Sequence, residues 1–140
     1  MPHNSLKLAR PFAAYAHSRR VGELIFLAGQ GCRDPESDRY RGIQRHSDGS
    51  IASYDIKEMT RGVFRNMERA LAVHGLSLSD LVDVTVYLKS MSDFEAMNSV
   101  WNDEFKDHQP PTRTTVAVAD LPGDNLVEMK GIAADQRARL

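Results

Sequence analysis

The chain has 140 residues, and its 18 lysines and arginines against 19 aspartates and glutamates give a formal net charge of −1. This length predicts one ordinary domain, spanning residues 1–140. The balanced charge gives no electrostatic reason to expect nucleic acid or a membrane surface as a partner.

Cysteine usage and hydropathy predict a cytoplasmic protein. Cys32 is the only cysteine, which excludes an internal disulfide framework and fits a reducing compartment. No apolar run approaches the ~20 residues that a membrane-spanning helix needs. Residues 1–10 lack the apolar core of a secretory signal.

The first elements are predicted to form a hairpin. An apolar run at 24–28, bounded by glycines, favours a buried strand, and we predict its partner at 12–18 with a turn at 19–22. The stretch 33–53 has no apolar period and is rich in charge and turn formers. We therefore predict a polar insertion, either a functional loop or a plain solvated one.

Two amphipathic helices follow from apolar residues spaced three and four apart. Asp55-x-x-Glu58 has the form of a capping box and starts the first helix, which ends near Gly75. Ser92-x-x-Glu95 predicts the start of the second helix in the same way. The apolar faces comprise Ile56, Met59, Val63, Met67 and Leu71 in the first helix, and Phe94, Met97, Trp101 and Phe105 in the second.

Three further strands are predicted at 82–89, 112–119 and 126–134 from alternating apolar and polar residues. The valines and Leu88 of the first are expected to face the core. The element order predicts a two-layer α+β domain, with both helices packed on one face of a mixed five- to six-stranded sheet. The other face would then carry Thr85, Arg113, Thr115, Ala117, Glu128 and Lys130. That mixture predicts a subunit interface containing a polar pocket.

Several kinds of chemistry are disfavoured by the residues. The five histidines show no metal-ligand spacing and are expected at the surface, and no metal or other cofactor is predicted. The segment Gly29-Gln30-Gly31 lacks the third glycine and the following helix of a dinucleotide-binding loop. Nothing near Cys32 identifies a catalytic base, so we expect an inert thiol.

Arg113 is the strongest candidate for a functional residue. It starts a strand after Pro110-Pro111, where a guanidinium could bind a carboxylate through two parallel hydrogen bonds. The alternative is a structural salt bridge between Arg113 and Glu128.

Four segments together resemble the Rid family, also called YjgF: residues 24–30, 80–89, 91–94 and 111–119. The resemblance covers the chain except 33–53, and 111–119 is its strongest part. It implies a chorismate-mutase-like fold, a homotrimer with clefts between subunits, and enamine or imine deamination without a cofactor.

The resemblance also implies site residues. Arg113 matches the family arginine that holds the substrate carboxylate, and Tyr15 matches a family tyrosine by spacing. The remaining matches are Ala28, where serine is common, Gly29, Asn98, and Thr115, where cysteine is common. Deaminating members carry Glu-x-Glu on the last strand, with the second glutamate handling water or protons; this chain reads Glu128-Met129-Lys130.

Lys130 together with the arginine-containing insertion resembles the 2-aminomuconate deaminase branch. The implied reaction converts 2-aminomuconate to 4-oxalocrotonate (2-oxohex-3-enedioate) and ammonia in aromatic catabolism. Since this substrate is a dicarboxylate, a site with Arg113 alone would leave one carboxylate unpaired, and Lys130 or an insertion arginine could bind it. Catalytic roles are expected for Arg113, Lys130 and Tyr15, with Gly29, Ala28, Asn98, Thr115 and Glu128 contacting substrate.

Two other functions are compatible with the resemblance. One is a general Rid deaminase acting on 2-aminoacrylate-type imines, against which Lys130 and the insertion argue. The other is a non-catalytic ligand-binding or chaperone-like trimer, which the missing second glutamate favours. A ribonuclease, also proposed for relatives, is disfavoured by the net charge of −1 and the absence of a basic patch interleaved with aromatics.

Overall fold

The computed structural model describes residues 8–11 and 13–137, and within them the chain forms seven strands and two α-helices. Two short 3₁₀ turns lie at Leu78–Asp80 and Met91–Asp93. The elements are β1 (Ser18–Val21), β2 (Leu24–Leu27), β3 (Ile43–Arg45), β4 (Ile51–Tyr54), α1 (Ile56–Ala72), β5 (Leu81–Leu88), α2 (Phe94–Glu104), β6 (Thr112–Ala117) and β7 (Val127–Ala134).

Five of the strands form a mixed sheet in the order β1-β2-β7-β5-β6. The β5–β6 pair is parallel, with α2 as the crossover between them, and the other pairs are antiparallel. The helices and the sheet enclose the core, where Phe64 of α1 contacts Trp101 of α2 and Phe105, just after α2, at ring separations of 6.0 and 5.7 Å. The predicted two-layer α+β fold is confirmed.

The start and end of α1 follow from local hydrogen bonds. The Asp55 carboxylate accepts from the backbone N–H of Glu58 at 3.2 Å, as the capping pattern predicts. The reciprocal half of the predicted box is absent, since the Asp55 N–H donates to the carbonyl of Gly42. Gly75 has φ +70°, a left-handed conformation that suits glycine after the last turn.

The capping box predicted at Ser92 is wrong. Ser92 lies inside the 3₁₀ turn, and its N–H donates to the side chain of Ser90. The α-helix begins two residues later, at Phe94, after Asp93, whose side chain makes no capping bond.

The predicted boundaries of the first hairpin are also wrong. The first strand is Ser18–Val21 rather than 12–18, and the chain turns at Gly22, where φ is +60°. Residue 12 lies outside the described residues. A glycine in the left-handed region suits the short turn between β1 and β2.

The insertion at 33–53 has regular structure that was not predicted. Its second half forms the β3–β4 ribbon, separate from the main sheet. Two ion pairs attach this part of the chain to the body: Arg41 to Glu58 at 2.9 Å and Arg45 to Asp124 at 2.6 Å.

One strand prediction fails at a single residue. Val82 is exposed rather than in the core, because a bulge between Leu81 and Asp83 turns Leu81 inward instead. Beyond the bulge, Val84, Val86 and Leu88 are fully buried, as the alternation predicts.

Candidate active site

A cavity of about 90 Å³ lies where the segment before β1, the end of β2 and the start of β7 meet. Three of the predicted site residues line it: Tyr15, Gly29 and Glu128. Its wall also includes Gln30 and Arg33, so the beginning of the insertion is part of the site.

Glu128 contributes a carboxyl group to this cavity. Strand β7 brings it there, because Gln30 and Met129 exchange backbone hydrogen bonds of 2.8 and 3.0 Å just beyond β2. Its side chain is half-buried, and this burial raises the pKa of the Glu128 carboxyl. A raised pKa makes the carboxylate a better proton acceptor and keeps its protonated form present to a higher pH than for an ordinary glutamate.

Gly29 lies beside that carboxyl group. A Cβ atom at Gly29 would lie 2.6 Å from Oε2 of Glu128, which is below van der Waals contact. The absent side chain therefore leaves space for the carboxylate at the cavity wall. Ala28 is half-buried, does not line the cavity, and donates its N–H to the carbonyl of His17.

Two buried asparagines hold the wall formed by residues 31–33. From α1, Asn66 donates to the carbonyls of Gly31 and Arg33, both at 2.9 Å. From the turn before β7, Asn125 accepts from the N–H of Cys32 at 3.1 Å. Both asparagines line the cavity, and sequence reasoning missed them. The sequence feature that could have identified Asn66 is its polar side chain beside the apolar stripe of α1.

Arg113 lies elsewhere in the chain. Its Nη1 donates to Oδ1 of Asn98 at 2.8 Å, and its guanidinium carbon lies 4.8 Å from the ring centre of Trp101. The structure thus brings together two of the predicted site residues, Arg113 and Asn98. Burial lowers the pKa of the guanidinium, but arginine stays charged at physiological pH.

The predicted sheet face of Arg113 is wrong. Arg113 is in register with Val84, which is buried under the helices, so both side chains share the helix-covered face. The same register places Thr115 and Ala117 on that face, opposite Val86 and Leu88. The Oγ1 of Thr115 is buried and has no hydrogen-bond partner among the described residues.

The salt bridge between Arg113 and Glu128 is also excluded within one chain. Strand β5 lies between β6 and β7, so the two strands are separated by two strand spacings, roughly 10 Å. The two side chains also point to opposite faces of the sheet. Any site that uses both residues needs a second copy of the chain.

Lys130 and Thr85 lie on the open face, directly opposite each other on β7 and β5, as predicted. Lys130 is exposed and is not among the residues that line the cavity. The open face also carries exposed apolar side chains: Val21, Leu24, Phe26 and Val116.

The Cys32 thiol is as expected, whereas two of the histidines are not. Burial raises the pKa of the Cys32 thiol to about 12, which agrees with the inert role predicted for it. His17 and His74 are buried rather than at the surface, and His74 shares a 2.8 Å hydrogen bond with Ser18. His3 lies outside the described residues.

Two absences apply to residues 8–11 and 13–137. No three histidine, cysteine or acidic side chains there come close enough to hold a metal ion together. No helix in the same residues is long and apolar enough to cross a membrane.

Comparison with known proteins gives consistent matches. Residues 6–135 match the family model described as Endoribonuclease L-PSP. A RutC family protein of Pyrococcus abyssi is 41% identical over 127 residues, or 91% of each chain. The Escherichia coli protein named "Putative reactive intermediate deaminase TdcF" is 30% identical over 85% of this chain and 84% of its own.

A solved structure gives the corresponding match in three dimensions. The crystal structure of E. coli TdcF with bound serine has a TM-score of 0.79 and 26% sequence identity. The match covers 96% of this chain and 98% of that one. The two helices on a mixed sheet are therefore the fold of these relatives.

Proposed function

Because the chain belongs to the Rid family, also known by the names YjgF, RutC and Endoribonuclease L-PSP, we propose that it hydrolyses an enamine or imine and releases ammonia. The observation that carries this proposal is the half-buried Glu128 carboxyl, with its raised pKa, in a cavity that also contains Tyr15. Hydrolysis of an enamine needs a group that can donate and accept protons in turn.

The proposed working unit is a homotrimer with the active sites between subunits. Two features support it. Arg113 and Glu128 lie two strands apart and on opposite faces of the sheet, so they cannot act together in one chain. The open sheet face carries apolar side chains that a neighbouring copy would cover. In this arrangement, Arg113 of one subunit reaches the cavity of the next.

The proposed substrate is 2-aminomuconate. Arg113 binds the carboxylate beside the amino-bearing carbon, and its bond to Asn98 and its contact with Trp101 fix the guanidinium for that purpose. A second cation is then needed for the distal carboxylate. Lys130, which the resemblance suggested for this role, is exposed on the open face and does not line the cavity.

The proposed reaction takes up one water and releases one ammonia. The protonated Glu128 carboxyl delivers a proton to the enamine carbon, which gives the iminium. Water then adds to the iminium carbon while the Glu128 carboxylate accepts a proton from it. The Glu128 carboxyl then protonates the amino nitrogen, and the C–N bond breaks to release ammonia. The hydroxyl proton returns to Glu128 as the carbonyl of 4-oxalocrotonate forms. Positioning of the substrate and water supplies most of the acceleration.

An ultraviolet assay tests this function directly. We expect loss of 2-aminomuconate absorbance together with equimolar ammonia release. Arg113→Ala should reduce kcat/KM at least about a hundredfold, because the carboxylate clamp is lost. An exposed arginine of the insertion, Arg39, provides the control variant Arg39→Gln, which should retain wild-type rates. Wild-type turnover by the Arg113→Ala protein would refute the assignment.

The same assay with 2-aminoacrylate separates the two deaminase alternatives. A dicarboxylate enzyme should have the higher kcat/KM on 2-aminomuconate. The reverse preference would identify a general Rid deaminase, and no ammonia from either substrate would favour a ligand-binding protein.

A further inference from the structure

The wall of the cavity includes a cationic residue of the insertion. Arg33, the first residue of the insertion, lies on its wall with only 18% of its side chain exposed. Its Nη2 donates to the carbonyl of Arg10 at 2.9 Å. Its backbone carbonyl accepts the bond from Asn66, so main chain and side chain are both held.

The counter-ion of Arg33 lies on the solvent side. The pair is Nη1 of Arg33 and Oδ1 of Asp38, at 3.3 Å, and the Asp38 side chain is 75% exposed. Water solvates the released Asp38 carboxylate well, so little is lost on that side when the pair opens. Asp38 can therefore be exchanged for another carboxylate at small cost.

Arg33 and Glu128 line the same cavity. Burial raises the pKa of the Glu128 carboxyl. The wall thus includes both a proton-handling carboxyl group and an arginine. A substrate with its reacting carbon at Glu128 and a second anionic group further along fits this arrangement.

We propose that Arg33 determines specificity by binding the second carboxylate of a dicarboxylate substrate, which displaces Asp38 from the guanidinium. The inference rests on the proposed function, because it assigns a substrate group within that same site. The exchange keeps the charge beside Arg33 balanced, so the incoming carboxylate is not left unpaired in the cavity. A monocarboxylate leaves the pair with Asp38 intact and gains nothing from Arg33.

If a substrate carboxylate displaces Asp38, then replacing Arg33 and replacing Asp38 should have opposite effects on dicarboxylate binding. Replacing Arg33 removes the binding group and weakens a dicarboxylate. Replacing Asp38 removes the competing carboxylate and strengthens the same ligand. A purely structural ion pair would instead make both substitutions affect every ligand alike.

Titration calorimetry with two unreactive probes tests this prediction. Adipate has the six-carbon, two-carboxylate skeleton of 2-aminomuconate, and hexanoate has one carboxylate on the same length of chain. We expect Arg33→Gln to weaken adipate binding about tenfold, as for loss of a charge-assisted pair. Asp38→Asn should strengthen adipate binding severalfold, and neither variant should change hexanoate binding.

Arg39→Gln is the matched control, since Arg39 is an exposed arginine of the same insertion. It should bind both probes like the wild type. The proposal is overturned if wild-type protein binds adipate no better than hexanoate, if Arg33→Gln weakens both probes equally, or if Asp38→Asn weakens adipate. Because the probes do not react, the result is independent of whether 2-aminomuconate is turned over.

Discussion

Glu128 has a carboxyl group whose charge is poorly solvated, and this affects stability as well as chemistry. Burial raises its pKa, so the folded protein binds the proton more tightly than the unfolded chain does. Its ionised form is therefore a cost to folding. That cost appears as the pH rises above the usual glutamate range.

Glu128→Gln should make this cost measurable. The amide does not titrate. The free energy of unfolding of the variant should therefore rise relative to that of the wild type as the pH increases from about 4.5 to about 7.5. Urea denaturation at the two pH values gives the comparison. Parallel changes in wild type and variant would show that Glu128 does not titrate differently in the two states.

The sequence predicts the identity of the site residues better than their arrangement. Tyr15, Gly29 and Glu128 meet at one cavity, and Arg113 pairs with Asn98. The face predicted for Arg113 was wrong, because alternation alone does not tell which half of a polar edge strand faces the helices. Only the register with the fully buried Val84 decides this.

At the level of elements, the helices and long strands were predictable because each buries one regular stripe. The β3–β4 ribbon was missed for the opposite reason, since none of its residues is fully buried and no alternation marks it. Its position instead depends on ion pairs with distant residues, such as Arg45 with Asp124. Such pairs cannot be read from local sequence.

The segment 31–33 depends on close packing against the turn before β7. A Cβ at Gly31 would overlap the side-chain amide of Asn125, so Gly31→Ala should cost about 1–3 kcal/mol of stability. Asn125→Ala should cost about as much, because it leaves the buried N–H of Cys32 without its partner.

The double variant identifies the clash as the cause. Removing the Asn125 side chain makes room for the methyl group that Gly31→Ala adds, so the double variant should lose less than the sum of the two single losses. Chemical denaturation of all four proteins gives the cycle. Strict additivity would mean that residues 31 and 125 do not interact.

For the whole molecule, an ion cluster joins the first and last parts of the described chain. Asp135, just after β7, pairs with Arg20 of β1 at 3.0 Å and with Arg137 at 2.9 Å. Arg137 in turn donates to the carbonyl of His74 near the end of α1. Hydrogen bonds from Arg137 and Arg20 hold the pKa of Asp135 well below its usual range.

This lowered pKa predicts a loss of stability in acid. The contribution of Asp135 is complete above the usual aspartate pKa, near 3.8, and falls as the pH drops below that value. Asp135→Asn should be less stable than the wild type at about pH 7, and the difference should narrow towards about pH 2. Thermal melts across this range test it; a constant difference would contradict the linkage.

The proposed trimer makes a prediction about the open face. Phe26→Asp places a charge among the apolar side chains of that face and should dissociate the oligomer. Val73→Asp is the control, since Val73 is similarly exposed but lies at the end of α1. Light scattering after gel filtration measures both masses. A trimeric Phe26→Asp protein, or a wild-type monomer, would argue against this interface.

The buried thiol of Cys32 can also be used to measure local unfolding of the native protein. It is the only thiol in the chain, it is 1% exposed, and its pKa of about 12 leaves little thiolate at neutral pH. A thiol reagent can therefore modify the protein only when the region around residue 32 opens. The rate of labelling at rising urea concentrations reports the free energy of that opening without any engineered probe.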